Sequence, residues 1–182
     1  KYSYINNFSY DENAKSFDSL LTQSLILSFK DIADSQVTLL LSMLFLLTSA
    51  SARARENSTS LQNLILVEEA HLIMRRSFQS NDVLNALQVL SDQIERILAE
   101  LRTKGVGLII VDQSPNKLVR GVLANTATKI AHKLVLNEDL QDMYSALGLQ
   151  EPIGLQNLNI GTCYHKIDSQ PIRTEQVKLW DA

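Results

Sequence analysis

The chain has 182 residues, 45% of them hydrophobic and 20% charged, an ordinary balance for one globular domain with a packed core. A formal net charge of −3 excludes a uniformly basic nucleic-acid binder and leaves room only for a local basic patch. The single cysteine, Cys163, allows no intramolecular disulfide, and the polar, aromatic start KYSYINNFSYDENAK has no signal-peptide pattern, so a reducing, cytoplasmic setting is expected.

Residues 1–23 are rich in Asn, Ser and Tyr without a clear period and read as an irregular N-terminal segment. From residue 24 to 182, short apolar runs alternate with amphipathic stretches. SLILSF (24–29) predicts a buried strand, and Gln36 to about Arg55 a helix. The apolar part of that helix, 37–50, is shorter than the roughly 18–20 residues of a membrane span and contains Thr38, Ser42, Thr48 and Ser49, so it predicts a core helix. LILV (64–67) predicts a second buried strand. In 81–104, Val83, Leu87, Leu90, Ile94, Ile97 and Leu101 recur at helical spacing, with Gly105 placed to end the helix. GLIIV (107–111) and ATKIAHKLVL (127–136) predict two more strands, and 137–147 a short helix. Residues 162–167 and 173–179 predict an antiparallel pair joined around Gln170-Pro171. Continuous apolar strands separated by helices predict an α/β fold, with a mostly parallel sheet covered by helices on both faces.

In open parallel sheets, ligands bind beyond the carboxyl ends of the strands. Glu68 and Glu69 follow four buried aliphatics directly. Carboxylates placed there need partners, and a metal-bound triphosphate is a natural one. One acid can hold Mg2+, directly or through water, and the other can orient an attacking water. A solvated strand-end loop, or an N-cap for the next turn, is the plain alternative. Gln113, two residues beyond the 107–111 run, can bond a water and a phosphate oxygen with one amide; it also suits a turn before Ser114-Pro115. Lys129 and Lys133 lie four apart and share a strand face, where they can reach a phosphate or extend to solvent. His71 lacks a second His at zinc-helix spacing, and neither G-x-S-x-G nor G-x-G-x-x-G is present, so zinc, nucleophile-elbow and dinucleotide enzymes are set aside.

These segments resemble the HerA/FtsK superfamily of hexameric DNA-pumping ATPases. LILVEEAHLIM (64–74) resembles the Walker B strand of the HerA branch, and ELRTKGVGLIIVDQSPNKL (100–118) the helix–Gly–strand–Gln segment that follows it. LANTATKIAHKL (123–134) resembles the next strand, where the family usually carries an Arg near the place of Lys129 or Lys133. The resemblance runs from about 24 to 180 and is specific from 61 to 136. It implies that 24–182 is the C-terminal part of a RecA-like P-loop ATPase domain. Glu68 is then the Mg2+-associated acid (through water), Glu69 the water-polarising acid, Gln113 the γ-phosphate sensor and Lys129 the basic finger. ATP and Mg2+ are the implied ligands, with DNA, a homo-oligomeric hexameric ring and a partner nuclease as the implied partners.

Two features depart from the family pattern. None of the six glycines begins Gly-Lys-Ser/Thr, so the phosphate loop G-x-x-x-x-G-K-[ST] is absent and is expected upstream of Lys1 in a longer protein. The finger position holds Lys, which lacks the planar fork of Arg. A sheet without its central strand exposes two edges. Residues 1–10 can fill the gap, the sheet can close up, or a second copy can pair across it, the option favoured from the sequence. A degenerate, non-catalytic oligomerisation module and a conjugation or secretion-channel ATPase are the competing readings.

Overall fold

The computed structural model describes residues 3–5, 22–30, 32, 34–76, 96–149 and 154–177. The aliphatic runs on either side of Gly105 become strands β3 (Asn63–Glu68) and β4 (Val106–Val111), which pair in parallel from Asn63↔Val106 to Glu68↔Val111. Ile65 and Val67 on β3, with Leu108 and Ile110 on β4, face the main core. Phe45 and Ala52 of α1 (Asp34–Arg53) enter that core, as do Ile97 and Leu101 of α2 (residues 96–103). The expected helix over 81–104 is seen in its last two turns; its earlier part lies outside the described residues.

Helix α1 buries three hydroxyl residues without leaving them unsatisfied. Ser42 and Thr48 donate to the carbonyls four residues back, and Ser49 to the carbonyl three back. By length and composition alone, Gln36–Arg53 is apolar enough to cross a membrane, with a mean hydropathy of 1.3. A third of that window is buried, and Phe45 and Ala52 pack with β3 and β4.

Within residues 1–10, one of the segments offered above to fill the sheet, Ser3–Ile5 forms a short strand, β1, parallel to β2 (Leu25–Leu27). Two expectations are corrected. Helices do not cover both faces of the β3–β4 pair among the described residues. Leu64 and Leu66 are 58% and 56% exposed, and Ile109 and Val111 beside them are also exposed. The segment expected as a fourth parallel strand over 127–136 is only four residues long, β5 (Thr128–Ala131). It pairs antiparallel with β6 (Thr162–Ile167), which pairs antiparallel with β7 (Arg173–Gln176). Its chain leaves the ladder after Ala131, and Leu134 packs into a second core instead.

That second core gathers Ala131, Leu140, Leu147, Leu155 and Leu158. Helix α3 (Arg120–Asn125) leads into β5, and α4 (Asn137–Leu147) follows it, ending at Gly148 with φ 69°. The described residues are thus mixed α/β, with two two-stranded parallel sheets, β1–β2 and β3–β4, and a three-stranded antiparallel sheet, β5–β6–β7, entered through α3.

Candidate active site

At the carboxyl end of β3 the chain turns sharply. Glu69 adopts φ 50°, ψ 46°, the left-handed region that non-glycine residues seldom enter. The turn drives Ala70 into the core, where it is fully buried, and opens the short 3-10 helix Ala70–Leu72. Glu68 is the last residue of β3 and lies on the exposed face beside Val111. Among the described residues its carboxylate makes no hydrogen bond or ion pair.

The end of β4 meets this turn. Gln113 Nε2 donates to Glu69 Oε1 at 2.7 Å, so two residues 44 apart in sequence are joined. Between them stands Asp112, with a side chain 3% exposed. Its Oδ2 accepts the His71 backbone N–H at 2.8 Å and lies 2.9 Å from His71 Nδ1, while its Oδ1 accepts the Ser114 N–H at 2.9 Å. His71 Nδ1 is also 3.5 Å from Glu69 Oε2. Glu69, His71 and Asp112 each offer a ligand atom within 4.8 Å of the others, and the bonds above already engage those atoms.

Further along, the two strand-end loops run side by side. Arg75 bridges to Leu118, Val119 N donates to Met74 O at 2.9 Å, and Arg76 N donates to Lys117 O at 2.7 Å. Arg76 pairs with Asp142 of α4 at 2.8 Å, and Asp139, buried at the start of α4, accepts the Asn116 N–H at 3.0 Å. The site thus rests on both cores.

Of the expected site residues, Glu68, Glu69 and Gln113 meet at one strand end. Lys129 stands in the antiparallel sheet, opposite Lys166, and its ammonium donates to Thr126 O at 2.5 Å. Burial, then the charge of Lys166, hold that ammonium below the usual lysine range against the pull of Asp168. Lys133 lies beyond the end of β5, so the shared strand face expected for the two lysines is not formed. Asp112 was visible as an acid straight after an apolar run, the same signal that marked Glu68, but its role depends on partners distant in sequence.

Comparison with known proteins adds three findings. The profile of the family described as Helicase HerA-like C-terminal matches residues 38–138. The DNA double-strand break repair helicase HerA of Pyrococcus furiosus is 33% identical over 104 residues. That match takes in 50% of this chain and only 17% of the relative's length. The genome packaging NTPase B204 of Sulfolobus turreted icosahedral virus 2 has a similar fold. Its sulfate complex superimposes with a TM-score of 0.63 at 14% identity, covering 98% of this chain and 81% of B204. Its complex with ATP-gammaS gives a TM-score of 0.63 at 16% identity, covering 98% and 84%.

Proposed function

Because the chain belongs to the helicase HerA-like C-terminal family, we propose that it is the Walker B-bearing part of a RecA-like, ATP-driven DNA translocase. The observation that carries the chemistry is the Glu69–Gln113 hydrogen bond at the strand ends. Glu69 lies next to the acid best placed for a cation and presents a half-exposed carboxylate to solvent. It orients an attacking water and draws on its proton as the water's oxygen approaches the terminal phosphate. Gln113 holds Glu69 with one amide hydrogen and keeps its other hydrogen and its oxygen for a water or a phosphate oxygen.

Glu68 fits the role of Mg2+-associated acid, since it is a hard oxygen donor left without a partner among the described residues. Mg2+, when bound with ATP, neutralises charge on the phosphates. Lys129 is assigned to reach the nucleotide of a neighbouring subunit in a ring. DNA as the substrate track, a hexameric assembly, a partner nuclease and a cytoplasmic setting belong to the same proposal.

Glu69→Gln in the intact protein tests it. ATP turnover falls by about a hundredfold or more while ATP stays bound, because water activation is lost and phosphate contacts remain. Normal turnover in that variant overturns the assignment. The exposed face of Leu64, Leu66, Ile109 and Val111 favours a second reading, a module that keeps the fold for assembly without catalysis. On that reading the intact protein hydrolyses no ATP.

A further inference from the structure

We propose that Asp112 is a positioning residue that sets Glu69 against Gln113 for water activation, a role that rests on the motor reading above. A carboxylate taken out of water is tolerated when donors replace the lost solvent. Asp112 has three: two backbone N–H groups and the His71 imidazole. No Lys or Arg is among them, and the bonds to the two backbone N–H groups are directional anchors.

The placement of those anchors is informative. His71 lies two residues after Glu69, and Ser114 one residue after Gln113. One carboxylate therefore fixes the backbone within two residues of each chemistry-bearing residue. Its bond to the Ser114 N–H closes a tight turn around Gln113 and aims that side chain at Glu69. Its bonds to His71 hold the residue that follows the Glu69–Ala70 turn and set the imidazole beside the second Glu69 oxygen, 3.5 Å away.

The far ends of the loops are joined independently by the Arg75–Leu118 bridge and by the bonds of Met74 and Lys117 to Val119 and Arg76. The β3–β4 ladder joins their near ends. Loss of Asp112 therefore frees the Glu69–Gln113 geometry while the surrounding fold stays paired. Small misplacements of this kind lower rates by up to about a hundredfold.

The test uses Asp112→Asn in the intact protein, which keeps the side-chain shape and puts an amide donor where an N–H now finds an oxygen. The expected kcat for ATP hydrolysis falls about tenfold or more, with KM for ATP changed less than about threefold. In a Gln113→Ala background the same substitution lowers kcat by no more than about threefold, because the contact it positions is already gone. Wild-type kcat in Asp112→Asn, or an equal fold-loss in both backgrounds, overturns the proposal. If Asp112→Asn does not fold, Asp112→Ser, whose one short hydroxyl cannot serve both backbone N–H groups, carries the same two comparisons with the same expected and overturning results. Glu69→Gln is assayed alongside. Normal turnover there overturns the motor reading and this role together. Lost turnover there, with wild-type kcat in Asp112→Asn, overturns this role alone.

Discussion

Glu69 holds a left-handed backbone that costs an L-residue about 1–2 kcal/mol relative to glycine. Such strain persists where the surroundings over-determine it. Here Ala70 is locked in the core on one side, and Gln113 holds the Glu69 carboxylate on the other. Two substitutions separate the backbone from the side chain. Glu69→Gly and Glu69→Ala both remove the carboxylate and its bond to Gln113, but only glycine relieves the strain. Glu69→Gly is expected to be more stable than Glu69→Ala by about 1 kcal/mol in urea unfolding. Equal stabilities would show that the turn is not strained. Both variants lose turnover, so the residue better suited to the backbone is the one that abolishes the chemistry.

At the scale of elements, the junction between α2 and β4 is decided by a single glycine. Gly105 has φ 71°, and a Cβ there would stand 2.3 Å from the Ser60 carbonyl oxygen. Its own carbonyl accepts the N–H groups of Gln62 and Asn63, so it also anchors the entry to β3. Gly105→Ala is therefore expected to destabilise the chain by more than about 2 kcal/mol, combining a left-handed alanine with a backbone clash. Thermal unfolding measures it, and a loss within about 0.5 kcal/mol would mean that the 58–62 turn moves away freely. Strand β5 teaches the opposite lesson. An apolar run of ten residues reads as one strand, yet only four join the ladder, because Leu134 is claimed by the second core.

For the whole molecule, the missing phosphate loop sets the behaviour of the isolated chain. With no Gly-Lys-Ser/Thr in it, the sequence lacks the usual triphosphate cradle. Calorimetry with Mg-ATP should show binding weaker than about 100 μM. Micromolar affinity would reveal another cradle. Assembly is tested by mixing. If Lys129 serves a neighbour's nucleotide, Lys129→Ala and Glu69→Gln proteins, each inactive alone, recover part of the turnover when combined, because some interfaces then pair an intact Lys129 with an intact Glu69. No recovery on mixing, with mixed rings confirmed by light scattering of tagged subunits, would remove Lys129 from the neighbour's site.

The residues alone were enough for β3, β4, the α4 helix, the Gly105 stop and the pairing of β6 with β7, because each rests on local periodicity or on a backbone conformation only glycine accepts freely. The acids after β3 and the amide after β4 were visible as polar residues closing apolar runs, and the family resemblance followed from those segments. Tertiary structure decided the rest. Whether an apolar strand is covered on one face or two, and whether β5 runs parallel or antiparallel to its neighbour, depends on which distant segment arrives to pair with it. The anchoring of His71 and Ser114 by Asp112 likewise spans 41 residues in one direction and 2 in the other. A short-range pattern records hydrophobicity and turn chemistry, but a buried carboxylate acquires its meaning only from the donors that packing brings to it.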